Sequence, residues 1–191
     1  MKKLIAVAIA GCLLFGQAQA EVIYDESVSG DLDTFDTRNF SLLNGVNTVL
    51  GQGSFGVLSG IDFDGFLFQL SAGQTLTSVV FRVVQLTLED DTGYLFESFN
   101  LASGAHGGAP IDTVTVSLFG SETDMFDGVM PRGAGTYGFD PRELSREGAG
   151  GSWTYAIDFT VTEQSQIPEP ASLALLGFGL AGLGFSRRKR T

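Results

Sequence analysis

From Trp153 to Thr162, large apolar residues alternate with smaller residues that are polar except for Ala156. In an extended chain, successive side chains point to opposite faces, so one face here would be entirely apolar. That face carries Trp153, Tyr155, Ile157, Phe159 and Val161. The same alternation occurs in Val114–Leu118 and in Phe66–Leu70. These segments predict half-buried β-strands.

The region between residues 21 and 166 has the character of an all-β domain. Residues 76–88 are β-branched on both faces, which predicts a central strand covered on two sides. Gly- and Asp-rich turns separate the predicted strands, and no segment has a convincing helical period with caps. We therefore predict an antiparallel β-sandwich, jelly-roll-like, with a signal peptide before it and a single transmembrane helix after it.

The N-terminus has the features of a secretory signal peptide over residues 1–20. Lys2 and Lys3 precede an apolar core, and Ala18 and Ala20 form the small-x-small site that signal peptidase cleaves. A lipoprotein signal cut before Cys12 is an alternative, but it would leave an unusually short apolar core. Cleavage after Ala20 removes the only cysteine of the chain.

Residues 167–191 combine three features in a fixed order. The triplet Pro168, Glu169 and Pro170 is followed by an apolar run, Ala171–Phe185, and then by a basic cluster. The cluster consists of Arg187, Arg188, Lys189 and Arg190. As a helix, the run would cover roughly 22 Å, a short membrane span. The basic end should remain cytoplasmic, which places the preceding domain across the inner membrane.

This tail resembles the PEP-CTERM sorting signal of exported proteins in Gram-negative bacteria. The resemblance implies an exosortase as partner, which cleaves an inner-membrane-anchored precursor near Pro168–Pro170 and releases the body to the cell surface or extracellular matrix. An ordinary C-terminal anchor is the alternative.

Two segments of the body, residues 23–32 and 62–73, are similar to small β-sandwich modules common in PEP-CTERM proteins. They also resemble bacterial pre-peptidase C-terminal domains, in which a D-x-D-x-F-x-F strand precedes an Ala-Gly turn. The resemblance implies an accessory, non-catalytic module.

The charge distribution excludes one class of partner and points to another. Five arginines against 22 acidic residues, Glu169 of the tail included, give the chain between the signal peptide and the apolar run a net charge near −17. A nucleic-acid partner is therefore not expected, since binding phosphate requires a basic surface. Divalent cations suit such a surface.

Two clusters of aspartates are candidate calcium ligands. They comprise Asp31, Asp33 and Asp36 after a glycine, and Asp62 and Asp64 at the head of a strand. Carboxylates two residues apart in an extended chain lie on one side. The alternative is that these aspartates form Asx turns and strand starts.

The sequence offers few residue combinations that are typical of a catalytic site. His106 lies in a Gly-rich loop, where we expect it to be exposed to solvent, and no G-x-S-x-G motif accompanies it. With no mature cysteine and one histidine, a catalytic zinc site is not expected. Glu89, Asp90, Asp91 and Glu97 are candidates for a glycosidase pair, but strand-end acids commonly lie in solvated turns.

The sequence therefore favours a non-enzymatic exported protein of the cell surface or extracellular matrix, in a biofilm or exopolysaccharide context. The alternative is a carbohydrate-binding module that acts on exopolysaccharide with calcium, and a secreted hydrolase comes third. Trp153 and Tyr155 are aromatic platforms for sugars only if exposed, yet they share a face with core residues.

Overall fold

The structure is a computed structural model. It describes residues 20–33, 36–56, 60–62, 64–89, 95–120, 122–146 and 148–163. The predictions for the signal peptide, apart from Ala20, and for the sorting tail lie outside these ranges. No helix among the residues described reaches the length and hydropathy of a membrane span.

Eleven strands and one short helix account for most of the described chain. In order they are β1 (Glu21–Asp25), α1 (Glu26–Ser29), β2 (Asn39–Ser41), β3 (Gly45–Gly56), β4 (Gly60–Asp62), β5 (Phe66–Leu70), β6 (Gln74–Leu88), β7 (Leu95–Ser103), β8 (Pro110–Ser117), β9 (Thr123–Met125), β10 (Gly135–Arg146) and β11 (Gly150–Glu163). A single 3-10 turn covers Asp127–Val129. The all-β prediction is confirmed.

The larger sheet is built around the alternating segment noted in the sequence. Its strand order is β1-β3-β11-β6-β9, and β4 pairs with the end of β3. β11 lies antiparallel between β3 and β6, with Ile157 opposite Val49 on one side and Phe81 on the other. All five apolar residues of the alternating face are buried. The predicted strand and its inward face are confirmed.

The second sheet has the order β2-β5-β10-β7-β8. Its central strand, β10, places Phe139 opposite Phe66 of β5 and Leu101 of β7. These three side chains are fully buried. The predicted strand at 66–70 is confirmed, and the predicted row at 114–118 lies on and just beyond β8.

Aromatic rings hold the two sheets face to face. The ring of Phe159 lies 4.9 Å from that of Phe68 and 6.0 Å from that of Phe66, which belong to the opposite sheet. Phe81 and Phe99 make a second contact between the sheets, at 5.4 Å. Offset and edge-on ring pairs at such distances stabilise a core beyond the area they bury. The packing supports the predicted sandwich.

Two strand pairs depart from the predicted antiparallel arrangement. β1 pairs with β3 in parallel, and β2 pairs with β5 in parallel, so both sheets are mixed. Parallel neighbours need a crossover connection. Here the chain leaves one sheet, contributes to the other and returns, because β2 lies between β1 and β3 in sequence, and β3 and β4 lie between β2 and β5.

The prediction that residues 76–88 form a strand covered on both sides is wrong. Leu76, Val79 and Phe81 of β6 are buried, but Val84 is 63% exposed. α1 borders the hollow that contains Val84 but does not cover this side chain. The β-branched residues reflect strand propensity there and not burial.

A candidate cation site beside a polar cleft

Glu26 enters the site through a sharp corner of the chain. Asp25 ends β1 with extended backbone angles, and its side chain accepts a hydrogen bond from the Ser27 N–H at 3.0 Å, which starts α1. Glu26 is thereby turned inward and is buried. Its Oε1 accepts the N–H of Leu32 at 2.6 Å, and its Oε2 accepts the N–H of Gln52 at 2.5 Å. This carboxylate therefore fixes the loop after α1 to β3.

Asp64 reaches the same place from the start of the second sheet. It lies two residues before β5 and is buried, with 3% of its surface exposed. Its Oδ2 accepts the hydroxyl of Tyr155 at 2.5 Å, whereas its Oδ1 has no hydrogen-bond partner in the part of the chain that the structure describes. A buried carboxylate oxygen without a partner is costly.

Gly51 makes the approach of Tyr155 possible. The two residues are opposite each other on β3 and β11, and a Cβ on Gly51 would lie 2.2 Å from the tyrosine ring. Without a side chain at that position, the ring lies over β3 and directs its hydroxyl to Asp64.

Three carboxylates converge here. One oxygen from each of Glu26, Asp31 and Asp64 lies within 4.8 Å of the others. Calcium binds oxygens at about 2.3–2.6 Å, so two oxygens on one ion are at most about 5 Å apart. The spacing is that of ligands around a shared cation.

Burial and mutual repulsion perturb these acids. Burial raises the pKa of Glu26 to about 7 and that of Asp64 to about 8, and neighbouring carboxylates add to both effects. Burial, with Asp31 and Asp33 nearby, also raises the pKa of Asp62. An acid cluster of this kind requires protons or a cation to neutralise it.

The structure brings together only part of the aspartate set predicted from the sequence. Asp31 and Asp64 are in the carboxylate group, and Asp62 lies close enough to affect the pKa of Asp64. Asp33 is exposed and outside the group. Asp36 instead lies 3.3 Å from the Arg38 guanidinium and accepts the Arg38 N–H.

His106 is not the exposed loop residue that the sequence predicts. Its side chain is 11% exposed, and its Nδ1 pairs with Asp140. Its Nε2 lies 2.5 Å from the carbonyl oxygen of Asp36. Asp140, itself buried, also accepts the Gly107 N–H, so it holds the loop against the sheet. Because both ring nitrogens face acceptors of this chain, neither is poised to take a proton from a serine.

The acids considered for a glycosidase pair are dispersed. Glu97 points between the sheets and is 3% exposed, whereas Glu89 is exposed at the end of β6. Burial raises the pKa of Glu97 well above its usual range, with Asp64 and Asp62 adding to the effect. The Oε2 atom of Glu97 has no hydrogen-bond partner among the described residues. Asp90 and Asp91 lie outside the described residues.

A polar cleft of about 450 Å³ adjoins the carboxylates, on the outer face of the larger sheet. Its floor is formed by alternate residues of three neighbouring strands, with Asp31 and Asp62 at its edge. The uncharged polar side chains that line it are Gln52, Ser54, Gln85, Thr87, Ser152 and Thr154. Trp153 and Tyr155 point the other way, into the core, and are buried.

The comparisons with known proteins identify the tail. Residues 166–189 match the family model described as the PEP-CTERM protein-sorting motif. This match confirms the resemblance of the tail to the PEP-CTERM sorting signal. It supports an exported, exosortase-processed protein whose membrane-anchored precursor is delivered to the cell surface.

The body itself has weaker matches. A chain from a study entitled "Bacillus endospore appendages form a novel family of disulfide-linked pili" is similar over 62% of this chain and 94% of its own, with 15% identity and a TM-score of 0.18. A likeness at that TM-score carries no argument about this protein. No curated protein matches the chain. The resemblance of the body to pre-peptidase C-terminal modules stays a prediction.

Proposed function

We propose that the body is a non-enzymatic module of the cell surface or extracellular matrix that binds neutral polysaccharide in the polar cleft. The cleft carries this proposal. Its volume of about 450 Å³ falls in the range of small-ligand sites, and it lies on a rigid sheet. Exosortase sorting to the cell surface would give such a module access to exopolysaccharide.

The side chains of the cleft are free to bind. None of the six uncharged polar side chains that line it makes a hydrogen bond with another described residue. Elsewhere on the same face, polar side chains are paired within the chain. Asp158 accepts from Thr48 at 2.6 Å and from Arg82 at 2.7 Å. Amides and hydroxyls can both donate to and accept from sugar hydroxyls.

An adjoining hollow adds apolar surface. It has a volume of about 260 Å³, shares Gln52 and Thr154 with the cleft, and includes Leu50 and Val84. Saccharide rings present C–H faces as well as hydroxyls, so a polar floor beside exposed aliphatic side chains complements both kinds of surface.

The charge at the edge of the cleft selects among polysaccharides. Asp31 and Asp62 would repel an anionic chain, whereas a neutral glucan or mannan carries no such penalty. The non-enzymatic assignment is supported by the burial of Asp64 and Glu97, which leaves neither carboxyl exposed to a chain lying in the cleft.

Affinity electrophoresis of the full chain, in mild detergent, against neutral glycans and the exopolysaccharide of the producing cell tests this proposal. The variant Q52A/Q85A should weaken binding about tenfold, because each lost hydrogen bond contributes about 0.5–1.5 kcal/mol. Gln69→Ala on β5 is the matched control, since Gln69 is exposed on the opposite sheet; its binding should equal that of the wild type.

Equal affinities for all three proteins, or no retention by any glycan, would contradict the cleft assignment. Release of reducing ends from a retained glycan would instead establish a hydrolase.

A further inference from the structure

We propose that Glu26, Asp31 and Asp64 form a calcium site at the edge of the cleft. The inference does not rest on polysaccharide binding, because the cation can be measured without any glycan. It joins two parts of the chain that are distant in sequence: α1 with the loop after it, and the residue pair that leads into β5.

The arrangement of oxygens supports a metal. One oxygen of each carboxylate lies within 4.8 Å of the other two. Two of the three residues are held in place independently of any ion, since Glu26 accepts two backbone N–H groups and Asp64 accepts the Tyr155 hydroxyl. Ligands positioned in this way bind a cation with little reorganisation.

The free oxygen of Asp64 is an independent indication of a ligand. Asp64 is 3% exposed, and among the described residues its Oδ1 has no hydrogen-bond partner. Its Oδ2 is already engaged by Tyr155. Buried polar atoms are almost always satisfied, and a bound ion is one explanation for an exception. A cation in the carboxylate group would supply the missing partner.

No ion pair within the described ranges neutralises the group. The ion pairs among described residues join Arg38 to Asp36, Arg82 to Asp158 and His106 to Asp140. None of them includes Glu26, Asp31 or Asp64. Arg38 approaches the loop but donates to the backbone carbonyl of Asp31, at 2.9 Å.

The chemistry of the donors favours calcium. All three are carboxylates, and hard oxygen donors select Ca²⁺ or Mg²⁺ over softer metals. Ligands drawn from two separate parts of the chain suit the variable coordination of calcium better than the strict octahedron of magnesium. Because Asp31 is exposed, water can complete the coordination sphere from the side of the cleft.

Thermal unfolding and isothermal titration calorimetry of the full chain in mild detergent, after removal of divalent ions with EDTA, test the site. The melting temperature should rise with the concentration of CaCl₂, because the ion binds the folded state. The rise should exceed that in NaCl of equal ionic strength, and MgCl₂ should act more weakly. Calorimetry should show one calcium ion per chain.

Asp31→Asn is the informative variant, since this exposed residue can change without unfolding the protein. Loss of an outer-sphere partner alone commonly costs 10–100-fold in metal affinity, so loss of a ligand should weaken calcium binding by about tenfold or more. Asp33→Asn removes the same charge two residues away, outside the group, and should keep wild-type affinity within about twofold. Asp64→Asn should behave as Asp31→Asn does.

Equal melting shifts in calcium and sodium would overturn the proposal, as would an Asp31→Asn variant that binds calcium as tightly as Asp33→Asn. The first result would mean that protons neutralise the carboxylates, and the second would mean that Asp31 is not a calcium ligand. Loss of glycan binding with calcium binding retained would leave this site standing and would count only against the cleft.

Discussion

Glu97 is a single residue whose chemistry conflicts with its surroundings. It lies on the inward face of β7, between Leu95 and Phe99, in a row of otherwise apolar side chains. Burial raises the pKa of its carboxyl well above the usual range, because the charged form loses its hydration there. A neutral carboxylic acid is tolerated in a core, but a carboxylate is not.

Replacement of Glu97 by glutamine should therefore change how stability depends on pH. A carboxyl whose pKa is raised on folding contributes stability that is fully present below its unfolded pKa, about 4.3, and is lost as the pH rises through the folded value. Glutamine mimics the neutral acid. In EDTA, the melting temperature of E97Q should match that of the wild type near pH 4 and exceed it by a growing margin as the pH rises toward 9.

Glu122→Gln is the matched control, since Glu122 is exposed. Its melting curve should parallel that of the wild type at both pH values. An E97Q variant with no advantage at high pH would show that Glu97 is not buried as described.

Single residues were only partly predictable from the sequence. The presence of Asp31 and Asp64 in the carboxylate group could be predicted, because both belong to clusters of aspartates in the sequence. Glu26 and Tyr155 could not, since no short spacing links them to either aspartate, and only the fold brings them together. His106 was misjudged because its partner Asp140 lies in a distant strand.

At the scale of elements, the side chains of β3 and β11 are complementary in size. Two glycines of β3, Gly51 and Gly53, lie opposite Tyr155 and Trp153. A Cβ at these glycines would approach the facing rings to 2.2 Å and 2.4 Å. The absence of side chains on one strand thus accommodates the largest side chains of the next.

Gly51→Ala should destabilise the protein by about 1–3 kcal/mol, the usual cost of overpacking a core. It should also displace the Tyr155 hydroxyl from Asp64. Chemical denaturation measures the first effect. Gly128→Ala is the control, because a Cβ there meets no atom within 4 Å, and its stability should stay within about 0.5 kcal/mol of the wild type. Equal stability of both variants would contradict the packing.

The elements themselves were more predictable than their arrangement. β11 and β5 followed from alternation, since period two has one structural explanation. The parallel pairs β1–β3 and β2–β5 did not, because the direction of pairing depends on which sheet the chain visits in between. For β6, the β-branched residues correctly predicted a strand but not that one of its faces is exposed.

At the scale of the whole molecule, the C-terminal sorting motif and the predicted N-terminal signal peptide indicate where the sandwich acts. The sorting motif at residues 166–189 directs exosortase processing of an exported precursor. The predicted signal peptide ends at Ala20, and β1 begins at Glu21. The two predicted cleavage points thus lie close outside the first and last strands, and processing at both would release the described body intact.

Glu169→Ala should block this release. Glutamate is the only charged group between the two prolines, and its loss removes the charge that a recognising enzyme can bind. The variant should accumulate as a membrane-bound precursor in fractionated cells, whereas Glu163→Gln, which alters an acid of the body just before the tail, should be processed normally.

Intact-mass analysis of the protein recovered from the surface or medium of exosortase-containing cells tests the central claim, that the sandwich acts outside the cell without its tail. We predict a species that starts at Glu21 and ends at or near Pro168–Pro170, with or without an attached group. Recovery of the full Glu21–Thr191 chain from the surface of those cells would contradict the account.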